Sequence, residues 1–335
     1  MEPVGVYVHV PFCRKRCPYC AFVLIESDGT LHDRFVEKIC REIRTAHPCA
    51  RTLYFGGGTP SLLSAEQIGR MIDAVGGTPE EITVECNPEG LRLEGLREIG
   101  VNRITLGLQA LDDRLLKFLG REHDADGARR AYREASRRFE NVCVDLIFGV
   151  PGQTLESWKG TLDEVHSWRP AHVSLYGLTY EAGTPFEKIR DRVPEETERA
   201  MYEAAMDALS EYHHYEISNF ALPRFESKHN RSYWEGRPYL GFGPGAHSFD
   251  GIHRWQNLSN VREWLEREDV VMQRETLTPE QKRIERLLLG LRQDIGVELA
   301  TIPAGLEKFL ERADGRVRLT RAGRCVADSV IARIV

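Results

Sequence analysis

Apolar residues recur along this chain in two rhythms. Short runs rich in β-branched and aromatic residues predict strands over 4–10, 51–55, 81–86, 103–107, 142–148 and 172–176. Between them, apolar positions three and four apart, as at Phe35, Val36 and Ile39, predict helices over 31–45, 64–75, 91–99, 112–118, 125–139, 155–167 and 195–212. Ser64 stands as an N-cap ahead of Gln67, and a short strand is expected over 215–217. Strands alternating with helices imply an α/β fold, a parallel sheet with helices outside. Six strands before about residue 180 point to a partial barrel, not the eight-fold closed one.

After residue 220 the rhythm breaks. Residues 220–255 are rich in Gly, Pro and aromatics. Helices are then expected over 279–291 and 306–313, a strand over 317–320, and a helical end over 321–335. This tail resembles a small winged-helix-like domain. The expected units are a barrel over 1–220, a connecting segment over 221–270 and a mostly helical C-terminal domain over 271–335.

A chain of 335 residues is long enough for a large core. Its net charge of −6 is spread along the sequence, so no nucleic-acid footprint is expected. Arg129-Arg130 and Arg137-Arg138 read as solvated helix faces. No secretory signal is visible, and no apolar run reaches the roughly 18 residues that span a bilayer. Peripheral membrane contact stays open. Of eight cysteines, Cys40, Cys49, Cys86, Cys143 and Cys325 are scattered and read as small buried or half-buried hydrophobes. A reducing cytoplasm suits that pattern.

The other three follow the first strand as Cys13-x3-Cys17-x2-Cys20. Three thiolates on one loop can hold three irons of a [4Fe–4S] cube, leaving one iron open to another ligand. A zinc loop is the alternative, since zinc takes four N/S ligands or three plus water. His9 is the nearest candidate to complete it, but its strand position points away from the loop.

The stretch Tyr7-Val8-His9-Val10-Pro11-Phe12-Cys13, with the triad, resembles the radical S-adenosylmethionine (SAM) signature, and within it the family that unites coproporphyrinogen III dehydrogenases with haem chaperones, HemN/HemW. The resemblance runs over nearly the whole chain. It implies an open (β/α)6 barrel with the cluster loop at its C-terminal mouth. It also implies that the open iron chelates SAM, which is cleaved by electron transfer to methionine and a 5′-deoxyadenosyl radical. That chemistry belongs to the cofactors.

The same resemblance assigns the remaining candidates. Gly56-Gly57-Gly58-Thr59-Pro60 follows a strand, and its glycines allow close backbone approach and exposed N–H groups. It is similar to the turn that holds the SAM amino group, with Gly57, Gly58 and Thr59 as the binding positions. Glu85, Gln109 and Asp145 lie at or near strand ends, where barrel chemistry sits. The resemblance places Glu85 on the SAM ribose or amine and Asp145 near the ribose. Arg121 could fork onto the SAM carboxylate, and Tyr7 is placed beside SAM. Lone His9 and His123 read as structural.

A second motif, His229-Asn230-Arg231-Ser232-Tyr233-Trp234, joins a nitrogen ligand to two large aromatics, and a Gly-rich run to His247 follows. Haem needs an axial ligand and a shaped apolar pocket. An aromatic cluster roofing the barrel is the alternative. H-N-x-x-Y-W is the motif that the haem-chaperone subgroup associates with haem, so the resemblance makes His229, Asn230, Tyr233 and Trp234 haem candidates. Phe22 stands where the dehydrogenase subgroup has a further Cys, and only residues 1–4 precede the first strand. Both departures favour the chaperone subgroup over oxidative decarboxylation of coproporphyrinogen III. The implied partners are haem as cargo, haem-accepting respiratory proteins and an electron donor for the cluster. A radical SAM reaction on another substrate is a third possibility.

Overall fold

A computed structural model describes residues 3–27 and 29–335. Six parallel strands run in chain order: β1 (Val4–Val10), β2 (Ala50–Gly57), β3 (Glu81–Cys86), β4 (Arg103–Gln109), β5 (Asn141–Phe148) and β6 (His172–Gly177). The helices of this part are α1 (His32–Ala46), α2 (Ala65–Val75), α3 (Asp113–Phe118), α4 (Ala125–Arg138), α5 (Leu155–Trp168) and α6 (Glu195–Ala208). Ser64 caps α2 with the reciprocal Gln67 bond expected from the sequence.

The sheet does not close. Beyond β6 it gains β7 (Asn219–Ala221) and the short strand His213–His214, both antiparallel. Beyond β1 it gains β8 (Tyr239–Phe242), parallel to β1, and then the antiparallel strands β9 (His247–Phe249), β10 (His253–Asn257) and β11 (Val271–Thr276). The aromatic and Gly-rich segment is thus a lateral extension of the barrel sheet. Between β7 and β8 lies one short helix, α7 (Lys228–Trp234), which carries the H-N-x-x-Y-W motif.

Side chains alternate across each strand. Val6 and Val8, Leu53 and Phe55, Val142 and Val144 enter the large apolar core with the helices. The opposite positions are polar: Thr52 and Tyr54, Thr83 and Glu85, Arg103 and Thr105, Cys143 and Asp145, His172 and Ser174 face the lumen. Closed barrels of this type fill the lumen with branched aliphatics; this one fills it with hydrogen-bonding groups.

Several elements differ from expectation. Residues 91–99 form turns, because Gly90, Gly95 and Gly100 all take positive φ and break any helix into single bends. The strand expected at 215–217 is a turn between His213–His214 and β7. Over 306–313 the last four residues are a strand, Leu310–Ala313, paired with Arg316–Leu319. Asp314 and Gly315 between them both take positive φ, as a two-residue hairpin turn requires. Val271–Thr276 belongs to the barrel sheet, not to the C-terminal unit. That unit starts with α8 (Pro279–Leu291), adds the hairpin, ends in the short helices Arg321–Arg324 and Ala327–Ile331, and packs around its own apolar cluster of Leu291, Val317 and Val330. Among the described residues no helix is long and apolar enough to cross a membrane.

Candidate functional site

The loop after β1 and the C-terminal ends of β2 to β6 enclose one cavity of about 480 Å3. Cys13, Cys17 and Cys20 line it, and so do Gly57, Gly58, Thr59, Glu85, Gln109, Arg121 and Asp145. Ten of the fifteen sequence candidates therefore meet in one place. Burial pushes the Cys13 thiol up to about 11 and raises Cys20. Among the described residues no three His, Cys, Asp or Glu side chains converge as one metal ion demands. A cube takes each thiolate on a different iron.

The loop is held from several sides. Arg16 donates to the carbonyls of Cys20 (3.2 Å), Phe22 (3.3 Å) and Leu24 (2.9 Å). His9 is buried between the Tyr7 hydroxyl (3.1 Å) and the Val23 carbonyl (2.6 Å). The Gly-rich turn is the third fastening. Gly58 N–H donates to Val10 O (2.8 Å) and Thr59 N–H to Phe12 O (2.7 Å), while Gly57 N–H donates to Glu85 (3.1 Å). These amides are already used, so the expectation that they are exposed for a ligand is corrected. A Cβ on Gly57 would collide with the His9 ring, and one on Gly58 would lie 2.6 Å from Phe12 O. Glycine is required because the turn packs flat on the cluster loop.

Arg121 is buried and donates to Asn87 (2.7 Å) and towards the Cys17 sulfur (3.6 Å), and pairs with Glu89 at 3.2 Å. Its Nε is buried without a partner among the described residues. An incoming carboxylate would complete that donor, so the lining fits a zwitterionic ligand beside three thiolates. Glu89 also meets His123, whose other nitrogen meets Leu108 O; His123 braces Glu89 and does not line the cavity. Gln109 has φ 66°, a left-handed conformation rare outside glycine, at the rim end of β4.

Two carboxylates face the cavity from the lumen. Burial pushes Glu85 up to about 7, helped by the nearby Asp145 charge and opposed by the hydrogen bonds from Tyr54 (2.8 Å) and Gly57. Burial likewise pushes Asp145 up to about 6, opposed by contacts from Cys143, Ser174 and Arg103. Both folded values lie above the ordinary carboxylate range. The folded chain therefore holds extra protons, and their stabilisation is complete below about pH 4 and lost as pH rises through about 6 to 7. Denaturant melts of the cofactor-free chain should show stability falling between about pH 4 and 7, by on the order of 1–3 kcal/mol per group. Glu85→Gln should flatten that slope; a rise in stability over the window contradicts the assignment.

Tyr7 does not line the cavity. It is half-buried behind it, stacked on Tyr54 at 6.0 Å, with Gly56 between it and Glu85. The haem candidates lie elsewhere. His229 is 1% exposed and sits at the N-terminal ends of the strands. Its Nδ1 meets Thr52 and its Nε2 meets Tyr233, both at 2.8 Å, and its ring stacks on Tyr54 at 5.0 Å. Glu81, at the start of β3, accepts the backbone N–H groups of Lys228 (3.0 Å) and His229 (2.9 Å). Asn230, Tyr233 and Trp234 follow on α7 at this same base. As folded, the imidazole offers no free nitrogen to a haem iron, and the motif closes the barrel floor opposite the cluster loop.

Sequence reasoning missed Tyr54, Asn87 and Glu89, which hold Glu85, Arg121 and Thr59 in place. A signal was present: Asn87 and Glu89 directly follow a strand whose C-terminal end faces the mouth.

The model of the radical SAM superfamily matches residues 7–165. The haem chaperone HemW of Lactococcus lactis is 37% identical, over 88% of this chain and 83% of its own. That of Bacillus subtilis is 35% identical, over 93% and 88%. The mitochondrial radical S-adenosyl methionine domain-containing protein 1 of Danio rerio is 33% identical, over 99% and 86%. In structure, coproporphyrinogen III oxidase (HemN) of Escherichia coli superposes with a TM-score of 0.84 at 21% identity, over 98% of this chain and 89% of its own, which establishes the shared fold. With its cysteine loop, its open barrel and relatives of this identity over most of their length, the chain belongs to the HemW haem chaperone family of the radical SAM superfamily.

Proposed function

We propose that this protein binds haem and passes it to haem-accepting respiratory proteins in the cytoplasm, using a [4Fe–4S] cluster and SAM as resident cofactors. The observation that carries the reading is the gathering of Cys13, Cys17 and Cys20 with Glu85, Arg121 and Asp145 around one cavity in a HemW-family chain. When bound, the cluster and SAM supply one-electron chemistry. The chain's own residues prepare the place. The three thiolates would hold the cluster, and Arg121 Nε–H would meet the SAM carboxylate. Glu85 and Asp145 would take its amino and ribose groups, and Arg16, His9 and the Gly57–Thr59 turn keep the loop seated on the barrel. An electron donor for the cluster and contact with a membrane surface at the acceptor belong to this reading.

Oxidative decarboxylation of coproporphyrinogen III is the second reading, supported by the same complete lining. One experiment separates them. Protein reconstituted anaerobically with iron and sulfide is titrated with haem by optical spectroscopy, then supplied with SAM, reductant and coproporphyrinogen III. Stable haem uptake without decarboxylation is the expected result. Product formation without haem retention would replace the first reading by the second.

A further inference from the structure

We propose that haem is taken at the mouth of the barrel, on the face presented by the cluster loop: Phe22 lies against the macrocycle, and Arg14 and Lys15 meet the propionates. This rests on the haem-chaperone reading and says where on the chain the cargo sits.

The first observation is Phe22. It is 63% exposed and lines the mouth cavity, while the strand aromatics Phe12 and Phe55 are fully buried. Its exposure does not come from a loose loop. Arg16 bonds the carbonyls at 20, 22 and 24, so the backbone on both sides of the phenyl ring is fastened and the ring is held outward. An exposed aromatic on a pinned backbone carries little ordering cost when a flat apolar partner covers it.

The second observation is charge. Arg14 and Lys15 are exposed, line the same cavity, and have no carboxylate partner among the described residues. The Arg14 guanidinium lies close against Gly90, in the loop that follows β3. Glu122 and Glu181 also line the cavity. They leave Arg14 and Lys15 of the cluster loop as the cationic part of the rim outside the buried Arg121. Haem is a flat apolar disc with two carboxylates on one edge. An outward aromatic beside two unpaired cations matches both features, and the guanidinium suits a carboxylate in particular.

The third observation is the opposite end. His229, the motif histidine, has both ring nitrogens engaged inside the barrel floor. Coordination there would require breaking the bonds to Thr52 and Tyr233 and opening the stack on Tyr54.

The test uses full-length, cluster-reconstituted protein. Haem titration of Phe22→Ser and of Arg14→Ala with Lys15→Ala should show at least about tenfold weaker binding, a single decade of Kd. Iron, sulfide and SAM binding should stay at wild-type levels. Tyr233→Phe should bind haem within about twofold of wild type. The wild-type protein supplies an independent reading that needs no variant: lysine-directed labelling with and without haem, read by mass spectrometry. Haem should protect Lys15 and leave Lys228, on the motif helix, unchanged. Protection of Lys228 and not Lys15 overturns the proposal, as do rim variants with intact clusters that titrate like wild type. Wild-type protein that takes up no haem overturns the chaperone reading itself, which is a separate outcome from haem bound at the other end.

Discussion

Cys17→Ser should abolish the cluster and leave the fold in place. Each thiolate of the triad takes a different iron, and a serine hydroxyl stays protonated where a thiolate is needed. After anaerobic reconstitution, iron and acid-labile sulfide per chain should drop to the level of protein that was never reconstituted. Stability should change little, by about 1 kcal/mol or less, because Cys17 is half-buried and belongs to no apolar core. The Arg121 guanidinium, 3.6 Å from its sulfur, keeps its bonds to Asn87 and Glu89. A variant that retains wild-type iron and sulfide with the same spectrum would remove Cys17 from the ligand set.

His229→Ala should destabilise the whole protein, by about 3–5 kcal/mol in denaturant melts. The substitution empties a fully enclosed site beneath Tyr54 and leaves the hydroxyls of buried Thr52 and half-buried Tyr233 without their 2.8 Å partner. Both effects act in the same direction, since a buried group left unpaired loses its hydration without compensation. His229→Gln, which keeps an acceptor and a donor, should recover part of the loss. A loss below about 1 kcal/mol for the alanine variant would mean that the floor repacks and that His229 is not structural. The same numbers bear on haem binding: an alanine variant that fails to hold haem must first be shown to be folded.

Much of the site was readable before the fold was known, for a local reason. The cysteine spacing lies within eight residues, and no tertiary contact is needed to bring those thiols together. Asp145 was readable by a different route. A carboxylate inside Cys143-Val144-Asp145-Leu146-Ile147 looks anomalous in an apolar run, and alternation resolves it: Val144 and Leu146 enter the outer core while Asp145 enters the lumen. The role of the Gly-rich turn was not readable. Glycine there signalled close approach correctly, but the partner is the cluster loop at Val10 and Phe12, a contact set by strand register. The surroundings of His229 were not readable either. A histidine followed by two aromatics has the same composition in a ligand pocket as in a sealed floor. What distinguishes them is Glu81, 148 positions earlier, fastening the helix that carries it. The missed hairpin at Asp314-Gly315 had a local signal, which the apolar spacing of Leu306, Phe309 and Leu310 overrode.

The two faces of the barrel strands have one more consequence. The apolar shell outside the sheet carries the hydrophobic stabilisation, and the lumen, lined by hydrogen-bonding groups, adds little of it. Lumen residues can be exchanged for others of similar size and polarity without disturbing the shell. Shell residues can drift among aliphatics without altering what the lumen presents. Such a frame is evolvable by construction. The same backbone recurs, with a TM-score of 0.84, in a chain only 21% identical to this one.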